Sequence, residues 1–472
     1  MFERLFHLRE HNTTVGREVT GGVITFMALC YIVIVQPAVL AGAGMDHGGV
    51  FVATCVCSAF ACILMGLWSN LPIALAPAMG HNFFFAFTVC GAVTAGGLGW
   101  SWQEALAANL VAGAVFTLLA AGGLQEALIR GIPDSLKYAI AVGIGLLIAF
   151  VGLQWGGIVV DHAHKYVQLG NLNSPIALLT VFGLLATGIL LAYGLRGALL
   201  YGVLLTAAVG LLASHYGAES WGYRLVTWKG AVVSGLPDGG GTAFGVFAGF
   251  KALFTDNPWT KWITIIFIFL ILDLFDTVGT LVGVAERAGL VKNGTVPRAK
   301  QALLSDGIGT MAGAVMGTST ITSYVESAAG ISAGARTGLA PVVTGLLLGA
   351  ALFFYPLVEM VGGTVVVSAQ SLGVNTGPEV QVFCHPVIAP VLIIIGCYMM
   401  PVVAKIKWDD MTEALPAFLT IVVMQFAMSI SHGIAWGFVS YVLLKLVRGR
   451  VRDIHPLVAV FAVLFVVFLV TT

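Results

Sequence analysis

The chain reads as long apolar runs separated by short polar punctuation. An apolar run of roughly 18 or more residues is long enough to cross a bilayer as a helix. On that measure, seven spans fall at 18–42, 49–68, 72–94, 104–129, 136–158, 174–193 and 197–215. Seven more fall at 261–285, 299–316, 318–334, 338–361, 384–404, 412–430 and 433–448. Residues 1–16 alternate Phe2, Leu5, Phe6 and Leu8 with Arg4, Arg9 and Glu10, which predicts a short amphipathic lead on the membrane surface. A more polar stretch at 216–260, with the turn-like run Pro237-Asp238-Gly239-Gly240-Gly241, separates the two sets. The apolar segment 454–471 has no counterpart in the first set; an extra span, a half-insertion and an interfacial helix all fit it.

Two spans are not plain helices. Segment 72–94 is interrupted by Leu75-Ala76-Pro77-Ala78-Met79-Gly80-His81-Asn82. Segment 318–334 opens on Thr318-Ser319-Thr320-Ile321-Thr322-Ser323, where β-branched alternation predicts extended backbone, and continues through Glu326-Ser327-Ala328-Ala329-Gly330. Each interruption lies about 55 residues into its own set, and a shift of about 240 residues lays most spans on partners. An odd number of spans per set gives the two sets opposite orientations. Matching interruptions in inverted halves point to a transporter's binding site.

Composition agrees with a membrane protein. Of 472 residues, 58% are hydrophobic and 9% charged, and the mean hydropathy is +0.97, whereas soluble domains carry about a quarter charged residues. Arg4, Arg9, Arg17, Arg130, Lys137, Arg196, Arg287, Lys292, Arg298, Lys300, Arg336, Lys405, Lys407, Arg448, Arg450 and Arg452 fall on one side of the predicted topology. By the positive-inside rule that side, with the N-terminus, is cytoplasmic, which places a multi-pass chain in the cytoplasmic (inner) membrane. Lys165, Arg224 and Lys229 fall on the other side. The formal net charge is zero, which leaves no basis for a nucleic-acid partner. The seven cysteines are scattered and suggest no metal clamp; no cofactor is expected.

The polar groups inside the spans carry the chemistry. Asp273 and Asp276 lie at i and i+3 in Leu272-Asp273-Leu274-Phe275-Asp276-Thr277-Val278-Gly279-Thr280, on one helical face with Thr277 and Thr280. A lone carboxylate at membrane depth costs a few kcal/mol or more and tends to take up a proton. Glu326 adds a third carboxylate from another span. One carboxylate accepts two side-by-side N–H donors of a planar heterocycle, while the exposed backbone of interrupted spans answers the remaining edge. Phe83, Phe84 and Phe85 are candidates for a stacking wall. A carboxylate pair equally suits a cation. His81 has three open roles: substrate contact, proton relay, or a hydrogen bond to a carbonyl. Asp306 and Glu104 read as helix-end or interface residues, and His162 and His164 as solvated loop residues.

Several motifs resemble the nucleobase–cation symporter family of the xanthine/uracil permease type, in its AzgA-like purine permease branch. They are Thr25-Phe26-Met27-Ala28 to Tyr31 and Pro37, Ala74-Leu75-Ala76-Pro77 to Met79-Gly80 and Asn82, Asp273-Leu274-Phe275-Asp276-Thr277 to Gly279-Thr280, and Gly317-Thr318-Ser319-Thr320 to Glu326-Ser327-Ala328-Ala329-Gly330. Ile132-Pro133 to Ser135-Leu136-Lys137 and Glu413-Ala414-Leu415-Pro416-Ala417-Phe418 are similar too.

The resemblance implies an all-α polytopic membrane fold of UraA-like type, with fourteen transmembrane segments in a seven-plus-seven inverted repeat. A core domain would comprise 17–130 and 261–362, and a gate domain 131–215 and 363–450, with 1–16 a cytoplasmic lead, 216–260 an extracytoplasmic connection and 451–472 of open placement. Short strands near Ala76–Met79 and Val315–Thr318 would pair at mid-membrane. The implied activity is proton-coupled import of a purine base: adenine, guanine, hypoxanthine or xanthine. Glu326, Asp276, Thr280, Ala78, Met79, His81, Phe84, Thr318, Val325 and Gln36 are the implied substrate contacts; Glu326, Asp276 and Asp273 are the proton carriers. A homodimer in the lipid bilayer is common on such a fold. Ala78, His81, Gln36 and the run Met424-Gln425-Phe426-Ala427-Met428-Ser429 depart from the branch pattern and bear on which base is held. The rival readings are a sodium-coupled carrier, a carrier of another heterocycle, and an anion exchanger. A membrane enzyme is also considered, but no catalytic constellation supports it.

Overall fold

A computed structural model describes residues 2–93, 97–123, 131–162, 164–237, 241–255, 257–290, 296–374 and 380–471. Arg130, Lys292 and Asp238 to Gly240 lie outside the described residues.

Helices dominate. The first half contains α1 (Phe2–Phe6), α2 (Val15–Leu29), α3 (Ile32–Ala41), α4 (His47–Trp68), α5 (Met79–Phe83, continued by a π-turn over Phe84–Val89), α6 (Trp102–Gly122), α7 (Asp134–Trp155), α8 (Pro175–Ala192) and α9 (Ala198–Trp221). Then follow α10 (Val246–Thr255), α11 (Trp259–Arg287), α12 (Ala299–Met316), α13 (Ser327–Ser332), α14 (Leu339–Ala350), α15 (Tyr355–Gly362), α16 (Ala389–Met399), α17 (Met411–Phe426), α18 (Ile430–Val447) and α19 (Pro456–Thr471). Among the described residues, nine helical segments are long and apolar enough to cross a membrane. The described residues also form three antiparallel strand pairs: β1 (Leu75–Pro77) with β4 (Ile321–Ser323), β2 (Val159–His162) with β3 (Tyr166–Leu169), and β5 (Val365–Ser368) with β6 (Gln381–Cys384). The β2–β3 hairpin was not anticipated: His162, expected on a loop, ends strand β2 opposite Tyr166.

The elements sort into two packing groups. In one, α14 lies against α4 and α2, α12 against α4 and α6, α11 against α6, and α13 against α2. In the other, α7 lies against α16, α17 and α18, and α8 against α9 and α16. The final helix, α19, touches α18 of the second group and α11 of the first, through Phe461 and Phe465 packed at tilted angles around Phe267 and Phe438.

Close helix approach within the first group rests on glycine. A Cβ on Gly338 would stand 1.9 Å from the Gly66 carbonyl oxygen, so no side chain fits at that crossing. Nearby, Asn70 donates to the Phe6 carbonyl (3.1 Å) and accepts from the Gly338 amide (2.8 Å). The buried Glu18 carboxylate accepts from the Arg336 and Thr337 amides at 2.8 and 3.2 Å. These bonds fasten the amphipathic lead, the start of α2, the end of α4 and the turn before α14 into one face.

Two expected boundaries moved. The first span is interrupted between α2 and α3 at Cys30–Tyr31, where the Val33 and Ile34 amides take i→i+3 acceptors, the Cys30 and Tyr31 carbonyls. The polar stretch at 216–260 is partly helical: α9 runs on to Trp221, and α10 occupies 246–255.

In the second group, the buried Lys445 ammonium pairs with Glu413 at 2.9 Å, with Tyr441 5.2 Å from the charge. Lys445→Met should strand the Glu413 charge and cost about 3–5 kcal/mol. Lys445→Met combined with Glu413→Leu should recover most of that loss. Thermal melts of the detergent-solubilised variants compare the two.

Candidate functional site

The site forms where the two interrupted spans meet. β1 and β4 run antiparallel in the register Leu75 to Ser323, Ala76 to Thr322 and Pro77 to Ile321. The ladder extends one bond each way, from the Ala78 amide to the Thr320 carbonyl and from the Tyr324 amide to the Ala74 carbonyl, both 2.9 Å. The second strand is therefore Ile321–Ser323, not Val315–Thr318 as expected. The reason is local: α12 stays helical to Met316, Gly317 then turns the chain at φ +96°, and Thr318 to Thr320 are spent crossing to the strand.

The outer edges of this two-stranded ribbon are sealed by side chains. Cys62 Sγ lies 3.1 Å from both the Leu75 N and O atoms. Thr310 Oγ1 donates to the Ile321 carbonyl at 2.8 Å and accepts from its amide at 3.1 Å. The Ala74 amide reaches Ser327 Oγ at 3.0 Å. Each strand is thus closed off by the helix that precedes it in the chain, α4 for β1 and α12 for β4.

Around the ribbon the polar side chains divide into two kinds. The first kind is buried and mutually bonded. Gln36 donates to Thr318 (2.9 Å) and Ser319 (3.1 Å) and accepts from Asn82, while Ser319 donates to the Asn82 side-chain oxygen. Thr320 donates to Asn109 on α6 at 2.5 Å. Thr277 is a second hub. Its hydroxyl lies 2.9 Å from Asp306, 3.4 Å from Asp273 and 2.8 Å from Thr322. Asp306 is fully buried in the middle of α12, with Ser323 also within 3.4 Å. It is not the helix-end residue anticipated; its place among Leu303, Leu304, Gly307 and Gly309 was the available signal.

The second kind is only partly covered. Glu326 sits at the N-cap of α13, half-buried, with the Tyr31 hydroxyl donating to it at 2.8 Å. Val325 beside it is 50% exposed. A cavity of about 470 Å³ runs along α13, lined by Ala328, Ala329, Ile331, Ser332 and Arg336. Asp276, half-buried on α11, and Tyr398, half-exposed on α16, both lie within reach of the Glu326 charge. Glu326 therefore stands where the two packing groups face each other. Thr280 is half-buried on α11.

Other sequence candidates lie deeper. Ala78 is the N-cap of α5 and Met79 its first residue, both buried. His81 is buried with its ring toward the Phe269 carbonyl, and among the described residues neither ring nitrogen makes a well-formed hydrogen bond. Phe84 meets Phe269 edge-on at 4.8 Å, Phe83 stacks on Phe87 at 5.6 Å, and Phe85 also lies against Phe269. These three rings are packing groups between α5, its π-turn and α11, and form no open wall. Gln36 and Thr318 belong to the bonded network. Tyr31 and Asp306 are the participants that residue-by-residue reading missed, because each acquires its place only through a partner on another element: Tyr31 through Glu326 of the other half, Asp306 through Thr277 and Ser323.

Comparison with known proteins places this geometry. Residues 16–376 match the model of the xanthine/uracil permeases, described as a permease family. The guanine/hypoxanthine permease PbuO of Bacillus subtilis (strain 168) is 39% identical over 469 residues, covering 98% of each chain. The adenine permease AdeP of Escherichia coli (strain K12) is also 39% identical, over 474 residues, covering 100% of this chain and 96% of its own. Among solved structures, the transmembrane domain of the cyanobacterial bicarbonate transporter BicA superposes with a TM-score of 0.61 at 13% identity, over 89% of this chain and 97% of that one. SLC26A9 gives 0.59 at 11% identity, over 92% and 65%. These two similarities show the fold alone.

Thr277→Val removes the hydroxyl shared by two carboxylates and Thr322. It should lower stability by about 1–3 kcal/mol, the cost of orphaning buried polar groups. A melting curve reads the loss, and an unchanged melting temperature would contradict the hub.

Proposed function

This chain belongs to the xanthine/uracil permease family and is a transporter, not an enzyme, and on that premise we propose that it imports purine nucleobases by proton symport. The observation that carries the proposal is the Glu326 carboxylate, set at the N-cap of α13, half-buried and oriented by the Tyr31 hydroxyl. A purine edge with adjacent N–H donors, such as guanine N1–H and N2–H, matches a carboxylate's two oxygens. Relatives of equal identity carry names for guanine/hypoxanthine and for adenine transport, which supports purines as the class.

In this reading Glu326 and Asp276 form the substrate and proton site. One of them takes a proton from outside, and the base docks beside the strand crossing, near Thr280, Val325, Ala78 and Met79. The core group, 17–130 with 261–362, then moves against the gate group, 131–215 with 363–450. Deprotonation toward the cytoplasm weakens the site and releases the base. Asp273, tied to Thr277 and close to Asp306, completes the acidic set behind the ribbon. Seven-plus-seven inverted spans accommodate the paired interruptions, and the equivalent sealing of β1 by α4 and β4 by α12 favours that scheme. A cytoplasmic N-terminus in the inner membrane follows from the Lys and Arg distribution. Homodimerisation through the gate groups is part of the same reading.

Uptake of radiolabelled adenine, guanine and hypoxanthine, in cells lacking their own purine carriers, tests the proposal. Accumulation should collapse with a proton uncoupler and be insensitive to removal of sodium. Glu326→Gln should abolish concentrative uptake. Tyr31→Phe, which removes one hydrogen bond to a charged group worth about 1.5–3 kcal/mol, should weaken apparent affinity by roughly tenfold or more. Normal concentrative uptake by the Glu326→Gln protein, or uptake that follows sodium and ignores the uncoupler, would overturn it.

A further inference from the structure

The connecting segment between α9 and α11 contains a short helix with an unusual division of its surface. On a helix advancing about 100° per residue, α10 and its approach present three faces. Val246, Gly249 and Leu253 are buried. Gly249 lies flush on the start of α6: a Cβ there would come within 2.1 Å of the Gln103 carbonyl oxygen. Lys251 marks a polar, exposed edge. Between these two faces runs a file of aromatic rings. Phe244 and Phe247 stack at 6.4 Å, Phe247 and Phe250 at 6.5 Å, and Phe250 and Phe254 at 6.3 Å. Phe254 then meets Trp262 at 5.0 Å in a T-shaped contact.

Water is a poor environment for this file. Phe244 is 62% exposed, Phe247 59% and Phe254 45%, with Trp259 at 65%. The file is continuous with the surface of a membrane-spanning helix, because Trp262 lies on α11 inside the segment 259–287. Aromatic rings beside lysines are the composition of a membrane–water boundary, and Lys251 and Lys261 flank the rings here.

We propose that α10 is an interfacial helix, with Phe244, Phe247 and Phe254 inserted among the lipids of the leaflet opposite the N-terminal face. The helix has protein on one side, lipid on the second and water on the third. Its position has a structural reach beyond anchoring. Thr242, fully buried just ahead of α10, fills the space between Gly49 and Gly317, and the Phe244 amide donates to the Val315 carbonyl at 2.8 Å. The lipid-seated helix thereby holds the Gly317 turn that launches the second interrupted span. The proposal concerns the lipid surface of the fold and stands whatever the transported molecule.

The test places an environment-sensitive fluorescent amino acid at position 247 of the full chain in nanodiscs, with and without brominated acyl chains. The same probe at the exposed Glu219, near the end of α9, serves as the reference. The probe at 247 should be quenched, at a depth of about 5–10 Å below the headgroup boundary, and the probe at 219 should not. Placement at 244 repeats the measurement should the first variant fail to fold. Absence of quenching at both 247 and 244 overturns the proposal. Shielding from bromine that disappears on dilution of the protein also overturns it, and would assign this face to a second copy of the chain.

Discussion

Backbone that leaves the helix inside a bilayer has to find hydrogen-bond partners within the protein, since hydrocarbon offers none. That demand is met here by letting two breaks satisfy each other. β1 and β4 pair across the centre of the first packing group, and what pairing leaves open is closed by Cys62, Thr310 and Ser327. Much else is subordinate to that arrangement. Gly66 and Gly338 bring α4 and the turn ahead of α14 close together, and Gly317 turns the chain so that Thr318 to Thr320 can reach the strand. Gln36, Asn82 and Ser319 bind the first, third and tenth predicted spans into one polar knot beside it.

With the backbone settled, the remaining polar side chains are free for chemistry. The polar groups divide into buried and half-buried ones. Thr277 and its carboxylate neighbours are enclosed, so they hold helices α11 and α12 to the ribbon. Glu326 is half-buried and, among the described residues, accepts from the Tyr31 hydroxyl, which leaves acceptor capacity for a ligand. A carboxylate with one oxygen partly committed is positioned and still available, the combination expected of a binding group.

Most helices were legible as apolar runs, and the run 299–316 coincides with α12. The two interruptions were legible because Pro77 and the hydroxyl-rich Thr318 to Ser323 cannot continue an apolar helix comfortably. Strand register was not, since it depends on where Gly317 spends its positive φ. Asp306 was misjudged because a carboxylate flanked by Ser305 and Gly307 resembles a helix terminus until its neighbours Thr277 and Ser323 are seen. The phenylalanines at 83–85 look like a ligand wall in one dimension; in three, Phe269 and Phe87 occupy their faces and edges. The aromatic file of α10 escaped notice because its rings are spaced for a helix inside a stretch whose flanks are polar.

The fastening of the two strands is unequal. β4 is tied by the hydroxyl of Thr310, a competent donor and acceptor, whereas β1 is tied by the thiol of Cys62, weak in both roles. Two positions that match in outline thus differ in stiffness: one hinge pin is tight and the other has play. Strain on the crossing is taken up first at Leu75, which pairs with Ser323 at the end of the ribbon that leads to Glu326, while the Ile321 end keeps its geometry.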